Sequence, residues 1–302
     1  MLEQLQLEHY LTLCMRSEAD FAEVFEEFEV SETISALNGE VENVNPVMKS
    51  GISFRLYKGV QSVYAYTNNT DDDNLTALIN DLRDAIGSAD QGPEVKLTRV
   101  EYENRHPVKI DFENVPLEGK VSLLKRADAS AKAYDERIVK VQGNLLNVKQ
   151  NVQISNSEGR LISDTRVRTR LMVNAFAKEG DNFQSGADRP GGGMGLEFYE
   201  TSTPEDAGRE AARIAIVNLS ARDCPSGKMP VIIDNGFGGV IFHEACGHSL
   251  EASSVAYGRS QFTGKLGQKI ANEKVTAIDD GTIAGAWGSI NIDDEGTPAK
   301  KN

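Results

Sequence analysis

This sequence predicts an α+β protein built on antiparallel sheets, and three observations carry that prediction. Stretches in which β-branched residues alternate with polar ones come in groups separated by turn residues, amphipathic helical stretches stand between the groups, and glycine-containing breaks mark off successive units. Leu2, Leu5, Tyr10 and Leu13, helped by Leu7, Leu11 and Cys14, give an apolar side to a leading helix that ends near Arg16. The period then changes. Strands are expected over residues 22–30, 50–57 and 61–67, with turns at Asn38-Gly39 and Lys58-Gly59. Leu75, Leu78, Ile79, Leu82 and Ile86 fall at helical spacing and predict an amphipathic helix over 74–86. The polar stretch 87–93 closes a first unit, taken as residues 1–100.

A second unit covers residues 101–228. Val121, Leu124, Ala127 and Ala131 predict a helix over 117–134, followed by half-exposed antiparallel strands at 138–154 and 160–177 around a turn at 156–159. Residues 181–195, with Gly191, Gly192, Gly193 and Gly195, read as a long surface loop or as a mobile loop over a site. No Gly-Lys-Ser/Thr follows, so this is not a phosphate-cradling loop. A helix over 205–219 begins behind Thr203-Pro204, a capping residue followed by proline in the first turn. From residue 229 to residue 302 the chain reads as the beginning of a β-rich C-terminal domain. It opens with a short buried strand at 231–233, a glycine loop at 235–239 and a helix through VIFHEACGHSLEA.

Composition bounds the function. A chain of 302 residues with 39% hydrophobic and 26% charged residues has enough apolar content for two or three packed domains. Its net charge of −14 would repel a phosphate backbone or an anionic bilayer, which argues against nucleic acid and membrane as partners. No apolar run is long enough to span a bilayer, and the acidic, interrupted N-terminus lacks the basic start and apolar stretch of a signal peptide. Cys14, Cys224 and Cys246 are odd in number and far apart, which suits a reducing compartment; the cytoplasm is the expected location.

Chemistry concentrates in one place. Of four histidines, His243 and His248 lie in the single run His243-Glu244-Ala245-Cys246-Gly247-His248. Neutral imidazole is the commonest ligand of divalent metals, and a carboxylate beside such a site can deprotonate water. The spacing is awkward, because residues five apart on a regular α-helix point about 140° away from each other. A single π turn would bring them to one face, and Gly247 is a sensible place for the backbone to yield. On residue types alone His243 also reads as a core histidine and His248 as a surface one. Cys246 reads as a small buried apolar group or a thiolate, and Glu251 as a ligand, as a carboxylate behind a ligand, or as part of a solvated face.

The run GGVIFHEACGHSLEA, together with WGSINIDDEGTP and the glycine cluster upstream, resembles the TldD/PmbA family along the whole chain, on its metal-bearing TldD-type side. The resemblance implies a zinc-dependent peptidase acting on unfolded or extended peptides, paired with a PmbA-like or TldE-like partner subunit that lacks the metal motif. It implies His243 and His248 as zinc ligands and Glu244 as the catalytic general base. A third ligand, a cysteine, is implied beyond the DDEGTP segment, in a part of the family's C-terminal domain that lies past Asn302, so the chain reads as a fragment or a truncated form. The peptide is expected to be held extended by backbone pairing at a sheet edge. The alternative is a non-catalytic peptide- or partner-binding subunit whose metal site is vestigial.

Overall fold

Alternation of apolar and polar residues over long stretches builds one sheet. The computed structural model describes the backbone of residues 1–302 and every side chain except that of Phe237. Helix α1 (Gln4–Cys14) leads into strands β1 (Phe21–Leu37), β2 (Glu40–Lys58) and β3 (Gln61–Thr67), then helix α2 (Asp72–Ile86) and the short β4 (Thr98–Arg99). Helix α3 (Leu117–Tyr134) precedes β5 (Ile138–Asn156), β6 (Arg160–Glu179), β7 (Asn182–Asp188), β8 (Gly191–Gly192) and helix α4 (Pro204–Leu219). The strand order is β3-β2-β1-β5-β6-β4, with β7 and β8 also pairing with β6, and only the β4–β6 pair is parallel. Mixed helix and antiparallel sheet is therefore the fold, as the periodicities predict. Residues Met1–Ala221 and Asp280–Asn302 form one compact unit, and Arg222–Asp279 form another. Among the described residues no helix is long and apolar enough to cross a membrane.

Period two sorts the side chains by face. Leu7, Leu11, Leu75 and Ile79 of α1 and α2 pack on Val24, Ile52, Phe54 and Leu56. Leu124, Ala127 and Ala131 of α3 and Ala207, Ala211 and Ala215 of α4 pack on Ile34, Leu145, Leu171 and Val173. The small residues let α3 and α4 approach closely: a Cβ at Gly208 would stand 2.1 Å from the Ala127 carbonyl oxygen. The other face of β6 carries arginines at alternate positions, and these grip the returning segment 280–302. Arg160 donates to the Gly296 carbonyl (3.0 Å), Arg166 to that of Ile292 (2.9 Å) and Arg168 to that of Trp287 (3.1 Å). The Arg170 guanidinium lies 3.6 Å from the centroid of the Trp287 ring.

Two expectations fail, each for a tertiary reason. Residues 181–195 are not a surface loop, because 182–188 form β7 against β6 and Gly191–Gly192 pair with Thr169 and Arg170. Glycine serves contact there: a Cβ at Gly186 would come within 2.3 Å of the Ala211 carbonyl oxygen of α4. The strand expected at 231–233 does not form; Val231 and Ile232 are exposed. A strand needs a neighbour to satisfy its backbone, and no described residue pairs with this segment. From residue 229 to residue 302 the chain shows short helical turns and isolated bridges.

Glu197 closes one end of the larger unit. Its carboxylate accepts from the backbone N–H groups of Ile110 (2.8 Å), Lys109 (3.1 Å) and Gly195 (3.2 Å). Burial pushes its pKa up, and these backbone donors outweigh that and hold it below the ordinary glutamate value. Glu197→Ala should cost about 3 kcal/mol in urea unfolding at neutral pH, because three donors lose a charged acceptor. A depressed folded value stabilises above the unfolded value and is lost as pH falls through the folded one. The gap between wild type and variant should therefore close in acid; a gap that is constant with pH would remove the charge from the account.

Candidate metal centre

Within the unit Arg222–Asp279, a one-turn helix α5 (Gly239–Phe242) runs into a π turn at His243–Gly247, then α6 (His248–Leu250), with α7 (Ala252–Ala256) following. The defining bond is from the His248 backbone N–H to the His243 carbonyl, five residues back. That bond widens one turn and cancels the angular mismatch of the five-residue spacing. The two imidazoles meet, with ring centroids 4.4 Å apart and planes at 63°.

One ligand atom each from His243, Glu244 and His248 lies within 4.8 Å of the others, all on exposed side chains. The arrangement the sequence could only pose as a condition is thus present. Two imidazole nitrogens and a carboxylate oxygen within that span are a donor set that a divalent ion can bridge. The His248 Nε2 stands 3.8 Å from a Glu244 oxygen, and its Nδ1 stands 2.7 Å from Oε1 of Glu251. The Glu251 hydrogen bond and charge, with a smaller contribution from Glu244, raise the His248 pKa above the ordinary histidine value. Cys246 is half-buried, and Cys14 and Cys224 are buried and exposed free thiols.

Gly247 has a role other than the expected one. Its backbone is ordinary right-handed helix (φ −56°, ψ −55°), so no special conformational freedom is used. Space is used instead: a Cβ there would stand 3.1 Å from Nδ1 of His243.

Residues 22–88, 110–219 and 226–302 match the family profiles described as PmbA/TldA metallopeptidase domain 1, central domain and C-terminal domain. The metalloprotease TldD homologue of Buchnera aphidicola subsp. Acyrthosiphon pisum is 31% identical over 96% of this chain and 61% of its own length. That of Haemophilus influenzae is 31% identical over 94% and 60%. A metalloprotease of Methanocaldococcus jannaschii is 33% identical over 93% and 63%. The chain thus spans about three fifths of the length of these relatives. Among solved structures, a Thermotoga maritima protein described as a candidate modulator of a DNA gyrase superposes with a TM-score of 0.76 at 21% identity, covering 93% of this chain and 64% of that one. TldE from Thermococcus kodakarensis superposes with a TM-score of 0.70 at 16% identity, covering 98% and 66%. These two likenesses show the fold.

Filling the space beside the His243 ring should part the two histidines. Gly247→Val is expected to remove the nuclear Overhauser contact between the rings while leaving helical circular dichroism unchanged; retention of the contact would show that the glycine does not set their approach.

Proposed function

This chain belongs to the PmbA/TldD metallopeptidase family, and we propose that it supplies the metal-binding helix of a zinc-dependent peptidase, with His243 and His248 as ligands and Glu244 as general base. The observation that carries this reading is the π turn at His243–Gly247, which gathers donors that a regular helix of the same sequence would splay. Structural irregularity of this kind costs stability and collects at functional sites. The donor set suits zinc, a borderline-soft ion that takes imidazole readily. Two histidines fall one short of the three protein ligands usual in a catalytic zinc site. A cysteine, the further ligand that the family resemblance implies, completes this proposal.

A bound zinc ion would polarise the scissile carbonyl and acidify a water molecule. In this reading Glu244 accepts the proton, which is supported by a carboxylate that is two-thirds exposed (66%) and lies on the Nε2 side of His248. A site that only holds zinc needs no water-activating carboxylate, so the presence of Glu244 beside the two histidines favours catalysis over a vestigial centre. Unfolded or extended peptides are the substrate that the family resemblance implies for such a site. A PmbA-like or TldE-like partner subunit is what the family resemblance implies. The three free thiols favour the cytoplasm.

The test is made on the full-length protein with its partner subunit, following cleavage of an unstructured peptide by mass spectrometry and zinc by elemental analysis. Glu244→Ala should keep its zinc and lose at least about 100-fold in turnover, the lower range for general-base catalysis. His243→Ala and His248→Ala should lose zinc and activity together. A Glu244→Ala protein that sheds zinc would make Glu244 a ligand. Wild type that holds zinc and cleaves nothing would favour the binding-subunit alternative.

A further inference from the structure

We propose that Glu251 is the positioning residue of the metal centre: it holds the His248 imidazole by Nδ1, so that Nε2 is the atom presented to the ion. The inference rests on the metal-site reading above and assigns a role within it to a second carboxylate.

The two nitrogens of His248 have different neighbours. Nδ1 is 2.7 Å from Oε1 of Glu251, a full hydrogen bond, whereas Nε2 is 3.8 Å from Oε2 of Glu244, beyond hydrogen-bond reach. An ionised carboxylate only accepts, so the 2.7 Å bond places the proton on Nδ1 and leaves the neutral ring its lone pair on Nε2. The ring is thereby bracketed by two acids with separate tasks. Glu244 stands on the side of the free nitrogen, and Glu251 stands behind the ring.

The backbone explains how Glu251 comes to be there. Its φ of −58° and ψ of 134° break the helix directly after α6. Its carbonyl accepts from the N–H groups of Ser254 and Val255, both at 3.0 Å, which starts α7. A residue anchored in this way at a helix junction has its Cα held on both sides, and its side chain folds back three residues onto His248. The same geometry speaks against Glu251 as a ligand. The oxygen bound to Nδ1 sits across the imidazole ring from Nε2, the nitrogen on the side of Glu244. Carboxylates behind ligating histidines fix the tautomer, orient the ring and strengthen it as a donor; their loss typically lowers metal affinity about 10–100-fold.

Two measurements on the full-length protein test the assignment. The first uses metal-free protein with labelled histidine and reads the tautomer of His248 from its nitrogen-15 shifts. Wild type should show the Nδ1–H form, and Glu251→Ala should shift toward Nε2–H. The second titrates zinc against a chromophoric chelator. Glu251→Ala should bind about 10–100-fold more weakly, and Glu251→Gln, which keeps an acceptor oxygen without the charge, should restore the tautomer and part of the affinity. A merely structural role would leave the tautomer unmoved. The proposal is overturned by an unchanged tautomer and unchanged zinc affinity in Glu251→Ala, or by X-ray absorption showing a Glu251 oxygen bound to zinc. Failure of the peptidase reading is distinguishable, because it would appear as wild type that binds no zinc or cleaves no peptide while the metal-free tautomer result stands by itself.

Discussion

The antiparallel pairing of β1 with β5 is the constraint on which the larger unit depends. It runs from Glu23↔Asn156 to Leu37↔Gln142 and makes one sheet of two hairpins more than a hundred residues apart in sequence. A slip of one residue would turn every side chain of either strand to the opposite face. Several contacts hold the register. Glu26 is buried and accepts from Gln153 of β5 (2.9 Å) and from the Leu2 backbone N–H (2.7 Å), while Ser35 donates to Asn144 (2.7 Å). Burial raises the Glu26 carboxyl above its ordinary value even with these partners, so the position is costly to occupy in any other alignment.

With that register set, both faces of the sheet acquire their tasks. The face carrying Val24, Ile34, Leu145 and Leu171 takes all four long helices, and their apolar sides close two clusters over neighbouring stretches of the same strands. The opposite face of β6 holds its arginines two residues apart, and backbone carbonyls of 280–302 fill the positions they point to. Asn291 joins this set by donating to Asp164 (3.1 Å) and accepting from the Arg105 backbone N–H (2.9 Å). Arginine suits this work because its planar, permanently charged fork reaches several acceptors at once.

The candidate metal centre obeys a different constraint, one of helical phase. Five residues separate His243 from His248, and only a widened turn brings their rings within 4.4 Å centroid to centroid. Gly247 provides the room and Glu251 the hydrogen bond behind the second ring. The assignment of His243, Glu244 and His248 to zinc and proton transfer is the proposal these distances support.

By itself the sequence determined whatever is local in period. The helices at α1, α2, α3 and α4, the hairpin turn at Asn38-Gly39 and the Thr203-Pro204 start of α4 were all legible, because burial of one face imprints 3.6 or 2 on the residues that supply it, although in α1 the buried face is Leu7, Tyr10, Leu11 and Cys14 and the expected Leu5 is exposed. The two histidines were legible as well, and so was the need for a π turn between them, since ligand chemistry and helix geometry conflict unless the turn widens. What the tertiary structure alone decided was pairing and proximity. Residues 182–188 and 191–192 became strand because β6 had a free edge and α4 lay close enough to require glycine at 186, whereas no described residue pairs with 231–233. The sequence left Glu251 as ligand, support or solvated surface; a helix break at that residue turned its carboxylate onto Nδ1 of His248. Such outcomes depend on where separate segments meet in space, and a backbone hydrogen bond or a side-chain contact leaves no period in the chain when its two halves come from different elements.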